Sequence, residues 1–157
     1  MNVRGMRAED VAGVAAIHTH SFPRQTHSRA WVESNIRSFP KVMAFVAEVS
    51  NRVAGYIFWT QKSGFRPEVV LELEQIAVDT ELRRQGIAQE LIKYSLPLVR
   101  LQLTEQGATL KHIIVSTRSD NSAQELYRKS LGAEVEATIR NLYSADEVVM
   151  VCRNPQA

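Results

Sequence analysis

The sequence predicts a mixed α/β fold: one central, mostly antiparallel sheet of about seven strands with about four helices. Two hairpin-like strand pairs flank one long amphipathic helix, an order that favours a mixed sheet over a doubly wound one. The chain has 157 residues, of which 45% are hydrophobic. That size and composition suit a single domain over 1–157 with its own core.

The first half of the chain is predicted to hold two helices and four strands. In order, these are a strand at 2–7, helices at 8–20 and 29–37, and strands at 43–49, 53–59 and 69–78. Val11, Val14 and His18 recur at helical spacing, which predicts that they share one face of the first helix. Apolar residues alternate over 43–49 and the polar pair Ser50-Asn51 follows, which predicts a hairpin.

The second half is predicted to hold two helices and three strands. These are a helix from Gln85 to Gly107, a strand at 110–117, a helix at 121–131, and strands at 133–140 and 147–152. The long helix carries an apolar stripe that should face the core, made of Ile87, Leu91, Tyr94, Leu98 and Leu101. Pro97 should kink this helix, and Gly132 should end the following one.

Composition excludes several classes of protein. Nineteen Lys and Arg against seventeen Asp and Glu give a net charge of +2, without the basic stripe of a nucleic-acid reader. No apolar run approaches the ~20 residues that span a bilayer, and no signal peptide is recognisable. With Cys152 as the only cysteine, a cytoplasmic location is expected. No metal site is expected, because the histidines near the amino terminus lack partners at ligand spacing.

One segment has the chemistry of an anion site. A buried strand ends at Val78, and a helix begins at the basic, glycine-containing segment 83–88. Free amides of a helix's first turn and the positive end of its dipole attract anions, and Gly86 lets a ligand approach the backbone. An ordinary charged helix start is the alternative interpretation of this segment.

Arg83-Arg84-Gln85-Gly86-Ile87-Ala88 resembles the acetyl-CoA loop Q/R-x-x-G-x-G/A of the GNAT superfamily of N-acetyltransferases. Residues 72–79 resemble the fourth strand of that family, and residues 121–133 resemble its Asn…Ala…LeuTyr…Gly segment. The order of elements agrees over nearly the whole chain. The resemblance implies acetyl-CoA as co-substrate, a primary amine as acceptor and no metal.

The resemblance also implies which residues bind acetyl-CoA. The pyrophosphate would lie on the amides of Arg84, Gln85, Gly86, Ile87, Ala88 and Gln89, beside Arg83. The pantetheine arm would pair with the backbone of Ile76, Ala77 and Val78 and accept a hydrogen bond from Asn121. Tyr127 would lie near the thioester sulfur.

Acetyl transfer also needs an acid and a base. The leaving thiolate needs a proton, which Tyr127 can supply; a packing ring is the alternative role for this side chain. Glu72 and Glu74 share one face of an otherwise buried strand, so either could take the amine's proton through water. The alternative for them is a salt-bridged pair at the surface.

A closer likeness is to the branch that acetylates protein amino termini, including the ribosomal-protein alanine acetyltransferases. Residues 137–143 resemble a hairpin whose two tyrosines hold the substrate; this chain keeps Tyr143 and has Leu142 at the other position. A plain hairpin aromatic is an equally supported role for Tyr143. The catalytic glutamate of the bacterial enzymes falls on Ser116, which cannot be that base. Specificity for a ribosomal protein is therefore not implied.

Two functions of different classes follow. The first is an acetyl-CoA-dependent N-acetyltransferase acting by direct transfer, which could form a homodimer as many relatives do. The second is a non-catalytic GNAT-fold module that binds acyl-CoA as a sensor or scaffold, which Ser116 slightly favours and Tyr127 disfavours. A toxin-like enzyme acting on aminoacyl-tRNA is a lesser option, since the modest charge supports it poorly.

Overall fold

The computed structural model describes residues 1–155 and confirms the mixed α/β fold. The seven strands are β1 Asn2–Gly5, β2 Val42–Val49, β3 Arg52–Gln61, β4 Glu68–Val78, β5 Thr109–Arg118, β6 Glu134–Ile139 and β7 Glu147–Arg153. The four α-helices are α1 Val11–Ser21, α2 Ser28–Arg37, α3 Ile87–Glu105 and α4 Ala123–Leu131. A single domain over 1–157 stays a prediction, because residues 156 and 157 lie outside the described part.

The strands form one sheet in the order β1-β2-β3-β4-β5-β7-β6. All neighbouring pairs are antiparallel except β4 and β5, which are parallel and joined by α3. Ser50 and Asn51 both adopt left-handed φ angles, 51° and 62°, the geometry of a tight hairpin between β2 and β3. The predicted hairpin is therefore confirmed.

Helices cover the two faces of the sheet unequally. One core lies under α3 and α4 and extends from β2 to β7, while α1 and α2 enclose a second core over β2, β3 and the end of β4. On the α1–α2 side, β5, β7 and β6 stay partly exposed. We call this surface the open face; its strand register gives it Ile114, Ser116, Arg118, Ala137, Ile139, Glu147, Val149 and Val151.

The predicted apolar stripe of α3 is wrong in its second half. Tyr94, Leu98 and Leu101 are exposed, and the helix buries a face that passes through Ser95 and Val99 instead. The side chain of Ser95 accepts a hydrogen bond of 2.8 Å from the indole of Trp59. The buried indole requires this polar partner, so apolar spacing alone could not identify the core face.

A buried ion pair ties β1 to the start of α1. The Arg4 guanidinium donates to both carboxylate oxygens of Asp10, at 2.8 and 3.0 Å, and to Glu48 at 2.8 Å. Burial alone would raise the pKa of Asp10, but hydrogen bonds from Arg4 and from the Arg7 amide lower it overall. Removing Arg4 would leave a buried carboxylate without its cation.

Replacing Arg4 with alanine should therefore lower the free energy of unfolding by about 3 kcal/mol, the scale for breaking a buried pair. Urea unfolding followed by circular dichroism measures this change. The matched control is Arg7→Ala, because the Arg7 side chain forms an exposed pair with Glu9 at 3.7 Å and the substitution keeps the backbone amide that donates to Asp10. This substitution should cost less than about 1 kcal/mol. If Arg4→Ala and Arg7→Ala lowered the free energy of unfolding equally, the stabilising role of the buried Arg4–Asp10 pair would be contradicted.

Candidate active site

A gap opens where β4 and β5 diverge. The two strands pair from Glu68 and Thr109 only as far as Glu72 and Ile114. Beyond that point β4 continues to Val78 paired with β3 alone, and β5 continues to Arg118 paired with β7 alone. The segment that was expected to hold an extended ligand, 76–78, lies on this edge of β4. One of its carbonyls, that of Val78, accepts a hydrogen bond of 3.2 Å from Arg83.

A β-bulge at Glu74 rotates β4 along this gap. Phe58 pairs with Gln75 and Trp59 with Leu73, which leaves Glu74 as the extra residue. Leu73 consequently faces the α3 core, whereas Ala77 faces the α1–α2 core. The bulge thus reverses which alternate side chains of β4 face each core, and it does so in the middle of the gap.

The two predicted glutamates of β4 both have partners. Glu72 is 17% exposed and forms a salt bridge of 3.1 Å with Lys62. Glu74 is exposed and accepts a hydrogen bond of 2.7 Å from Thr60. Since Thr60 lies opposite Glu72 in the register, both carboxylates lie on one face, as the sequence predicted.

The segment between β4 and α3 presents a helix start with no side-chain cap. Arg84 and Gly86 have left-handed φ angles, 63° and 80°, so α3 begins at Ile87 rather than at the predicted Gln85. Gly86 is the capping residue, and no side chain among residues 1–155 caps the amides of the first turn. A Cβ at Gly86 would meet only the Gln89 side-chain oxygen, at 3.8 Å. Open space before uncapped amides fits a bound anion.

Gly55 explains how this helix start comes to lie against the sheet. A Cβ there would lie 2.9 Å from the Ala77 carbonyl oxygen and 3.2 Å from Leu91. Without that side chain, the first turns of α3 pack directly on β3. The basic segment is thereby held at the end of β4, next to the gap.

Tyr127 is the buried residue of α4 and packs in the core under α3 and α4. Within residues 1–155 its hydroxyl forms no hydrogen bond, and burial raises its pKa to about 12. The phenol therefore stays protonated throughout the neutral range. Both predicted roles, proton donor and packing ring, suit this position.

The two remaining predicted residues lie on exposed loops. Asn121 precedes α4, and its side-chain oxygen accepts the amide of Ala123 at 2.8 Å, so the helix begins at Ala123 rather than at 121. Tyr143 is 77% exposed on the β6–β7 loop. The Arg118 guanidinium, hydrogen-bonded to Asp120 on the β5–α4 loop, lowers the pKa of that carboxyl, and Arg24 on the α1–α2 loop adds a smaller effect of the same sign.

Two polar residues of this region were missed from the sequence. Gln75 is buried, and its side-chain oxygen accepts from Trp31 at 2.9 Å and from Tyr56 at 2.8 Å. Glu147 is buried at the start of β7, on the open face. A charged residue opening an apolar strand was the available signal for Glu147, but its neighbours depend on strand order.

The described residues 1–155 contain no cluster of three metal-ligating side chains. In the same part of the chain, no helix is both long and apolar enough to cross a membrane.

Together, the uncapped helix start and the unpaired strand edge offer amides and carbonyls that could hold an extended, anionic ligand. A sequence profile of the Acetyltransferase (GNAT) family matches residues 11–133, and the chain belongs to this family of acetyl-CoA-dependent acetyltransferases. The resemblance seen in the sequence is thereby confirmed, and with it the assignment as an enzyme.

Solved structures share the fold over almost the whole chain. Ard1 from Thermoplasma volcanium is 25% identical, with a TM-score of 0.75 over 96% of this chain and 95% of that one. The ribosomal-protein-S18-alanine N-acetyltransferase from Escherichia coli is 19% identical, with a TM-score of 0.75 over 99% and 95%. An aminoglycoside 6'-N-acetyltransferase complexed with coenzyme A is 16% identical, with a TM-score of 0.76 over 96% of both chains. The comparison with curated proteins finds no match.

Proposed function

We propose that this chain transfers the acetyl group of acetyl-CoA directly to a primary amine, either a protein amino terminus or a small-molecule amine. The observation that carries the proposal is the gap between β4 and β5 with an uncapped helix start at its open end. Family membership supports the chemistry. The acceptor is left open, because the similar structures at 16–25% identity include acetyltransferases with different acceptors.

The residues around the gap fit acetyl-CoA. In this proposal the amides of residues 84–89 bind the pyrophosphate, with Arg83 and Arg84 supplying positive charge. The unpaired edge at 76–78 pairs with the amides of the pantetheine arm. The side-chain amide of Asn121, whose oxygen accepts from Ala123, donates to that arm. The open space at Gly86 supports the phosphate placement.

Tyr127 is proposed as the proton donor to the leaving thiolate. Its hydroxyl has no partner among residues 1–155, so no hydrogen bond must break before it donates. The acceptor approaches from the opposite side, over the open face, between the α1–α2 loop and the β6–β7 loop with Tyr143. Glu72, Glu74 and Glu147 are the carboxylates of β4 and β7 on that side.

Release of the CoA thiol tests the proposal. Purified protein and acetyl-CoA are mixed with an alanine-headed tetrapeptide, spermidine, free amino acids or kanamycin, and the thiol is measured. We expect release that depends on at least one amine. Tight CoA binding with no amine-dependent release across the panel would instead indicate a binding module.

The raised pKa of Tyr127 predicts the alkaline side of the pH–rate profile. The donor is the protonated phenol, which is lost only as pH rises through its pKa of about 12. At saturating acetyl-CoA and amine, kcat should not fall between pH 8 and about pH 10. A fall with a midpoint below pH 10 that disappears in Tyr127→Phe would contradict this prediction.

A further inference from the structure

Glu147 is a buried carboxylate beside the gap. It is 7% exposed and begins β7, which lies between β5 and β6. In the strand register it faces Arg118 of β5 on one side and Ile139 of β6 on the other. Val148, the next residue, belongs to the α3–α4 core, so Glu147 points to the opposite side, the open face.

No residue among 1–155 forms a hydrogen bond or salt bridge with the Glu147 carboxylate. Burial raises its pKa, and Arg118 is the charged side chain that opposes this rise. The Arg118 guanidinium instead binds Asp120 at 3.1 and 3.2 Å and Ser144 at 2.9 Å. Among the described residues, the fully enclosed side-chain atoms without a partner belong to Gln61, Arg100 and His112. The Glu147 oxygens therefore reach solvent, and a cation that enters from the open face can bind them.

The two carboxylates of β4 on this side of the sheet differ from Glu147 in this respect. Glu72 is bound by Lys62 and Glu74 by Thr60. Of these three carboxylates, only that of Glu147 accepts no hydrogen bond from the described residues.

The position and small size of Ser116 show how an acceptor could come close to Glu147. Ser116 is exposed on β5 where that strand borders the gap, and it pairs with Val149. Glu147 is therefore its diagonal neighbour on the same face, about 7–8 Å away between Cα atoms. The small serine leaves space above β5 for a group held by Glu147.

We infer that Glu147 binds the ammonium group of the acceptor and removes its proton, an assignment that rests on the proposed acetyl transfer. The ammonium gives one proton to the Glu147 carboxylate, and the neutral amine attacks the thioester carbonyl. A C–N bond forms as the C–S bond breaks. The thiolate takes a proton from Tyr127, which regains one from water. A second proton leaves the nitrogen to water, and Glu147 then releases the first proton to water, which restores its carboxylate. One proton is released for each acetyl group transferred.

Glu147→Gln tests this assignment with the alanine-headed tetrapeptide, spermidine or kanamycin, whichever is acetylated. At pH 6 we expect kcat/KM for the amine to fall at least tenfold, with a higher KM for the amine and an unchanged KM for acetyl-CoA. The deficit should shrink as pH rises towards the pKa of the amine, about 8 for an α-amine, because the solution then supplies neutral amine.

Glu134→Gln is the matched control. Glu134 is exposed on the same face and pairs with Val151, farther from the gap. Its substitution removes the same charge and should leave every kinetic constant near the wild-type value. Glu72→Gln and Glu74→Gln, measured alongside, show which carboxylate governs the acidic limb.

Stability separates this role from a structural one. Neutralising a buried carboxylate that has no partner should leave the melting temperature unchanged or raise it. A lowered melting temperature with unchanged kinetics would overturn the assignment, as would an acidic-limb deficit in Glu72→Gln or Glu74→Gln but not in Glu147→Gln. If the wild-type protein releases no thiol with any amine, the proposed function itself fails.

Discussion

Valine at Gly86 should weaken CoA binding about 100-fold, equivalent to about 2.7 kcal/mol. The φ angle of Gly86 is 80°, which a β-branched residue adopts only with strain. Its side chain would also extend into the open space before the first turn of α3, where we place the pyrophosphate. Isothermal titration calorimetry with CoA measures the loss.

Gly107→Val is the matched control for backbone strain. Gly107 follows the other end of α3 and has a φ of 75°, and a Cβ at this position would have no heavy atom within 4 Å. Both variants should lose similar thermal stability, but only Gly86→Val should lose affinity for CoA. If Gly86→Val left the affinity for CoA unchanged, or if Gly107→Val lost as much affinity, the proposed binding of the pyrophosphate to residues 84–89 would be contradicted.

Replacing Tyr127 with phenylalanine should lower kcat by about 100-fold or more, the usual scale for a positioned proton donor. The substitution removes one oxygen atom that has no hydrogen-bond partner among residues 1–155. The ring and its packing are kept, so the melting temperature and the affinity for CoA should stay near the wild-type values. Steady-state kinetics and calorimetry on the same preparation measure both.

Tyr94→Phe controls for loss of a tyrosine hydroxyl elsewhere in the fold. Tyr94 lies half-exposed on α3, away from the gap, and its substitution should leave kcat unchanged. If Tyr127→Phe kept a kcat near the wild-type value at every pH, Tyr127 would be a packing ring and not the proton donor.

Local patterns predicted the elements well, and the anion site at residues 83–88 stays a prediction. The glycine within a basic segment after a buried strand located the start of α3 to within two residues, because helix starts depend on nearby residues. The stripe on α3 failed because its buried face includes Ser95, whose partner Trp59 lies 36 positions away in the sequence.

Features that depend on distant pairing were not predictable. The bulge at Glu74 arises from the register with β3, and the gap arises because β5 leaves β4 after Ile114. Glu147 lies beside Arg118 only because β7 inserts between β5 and β6. The sequence shows the β6–β7 hairpin but not which of its strands pairs with β5.

The predicted base at Glu72 or Glu74, the cytoplasmic location and the homodimer stay predictions.

The destination of the acetyl group tests the central claim most directly. Acetyl-CoA labelled with ¹³C at the acetyl carbonyl is incubated with the protein and the amine that gives the fastest thiol release. Carbon NMR and mass spectrometry then follow the label. We expect the label in an amide on the primary amine, in a one-to-one ratio with released thiol, and none attached to the protein. Label that stays in acetyl-CoA, or that appears only as free acetate, would contradict direct transfer to an amine.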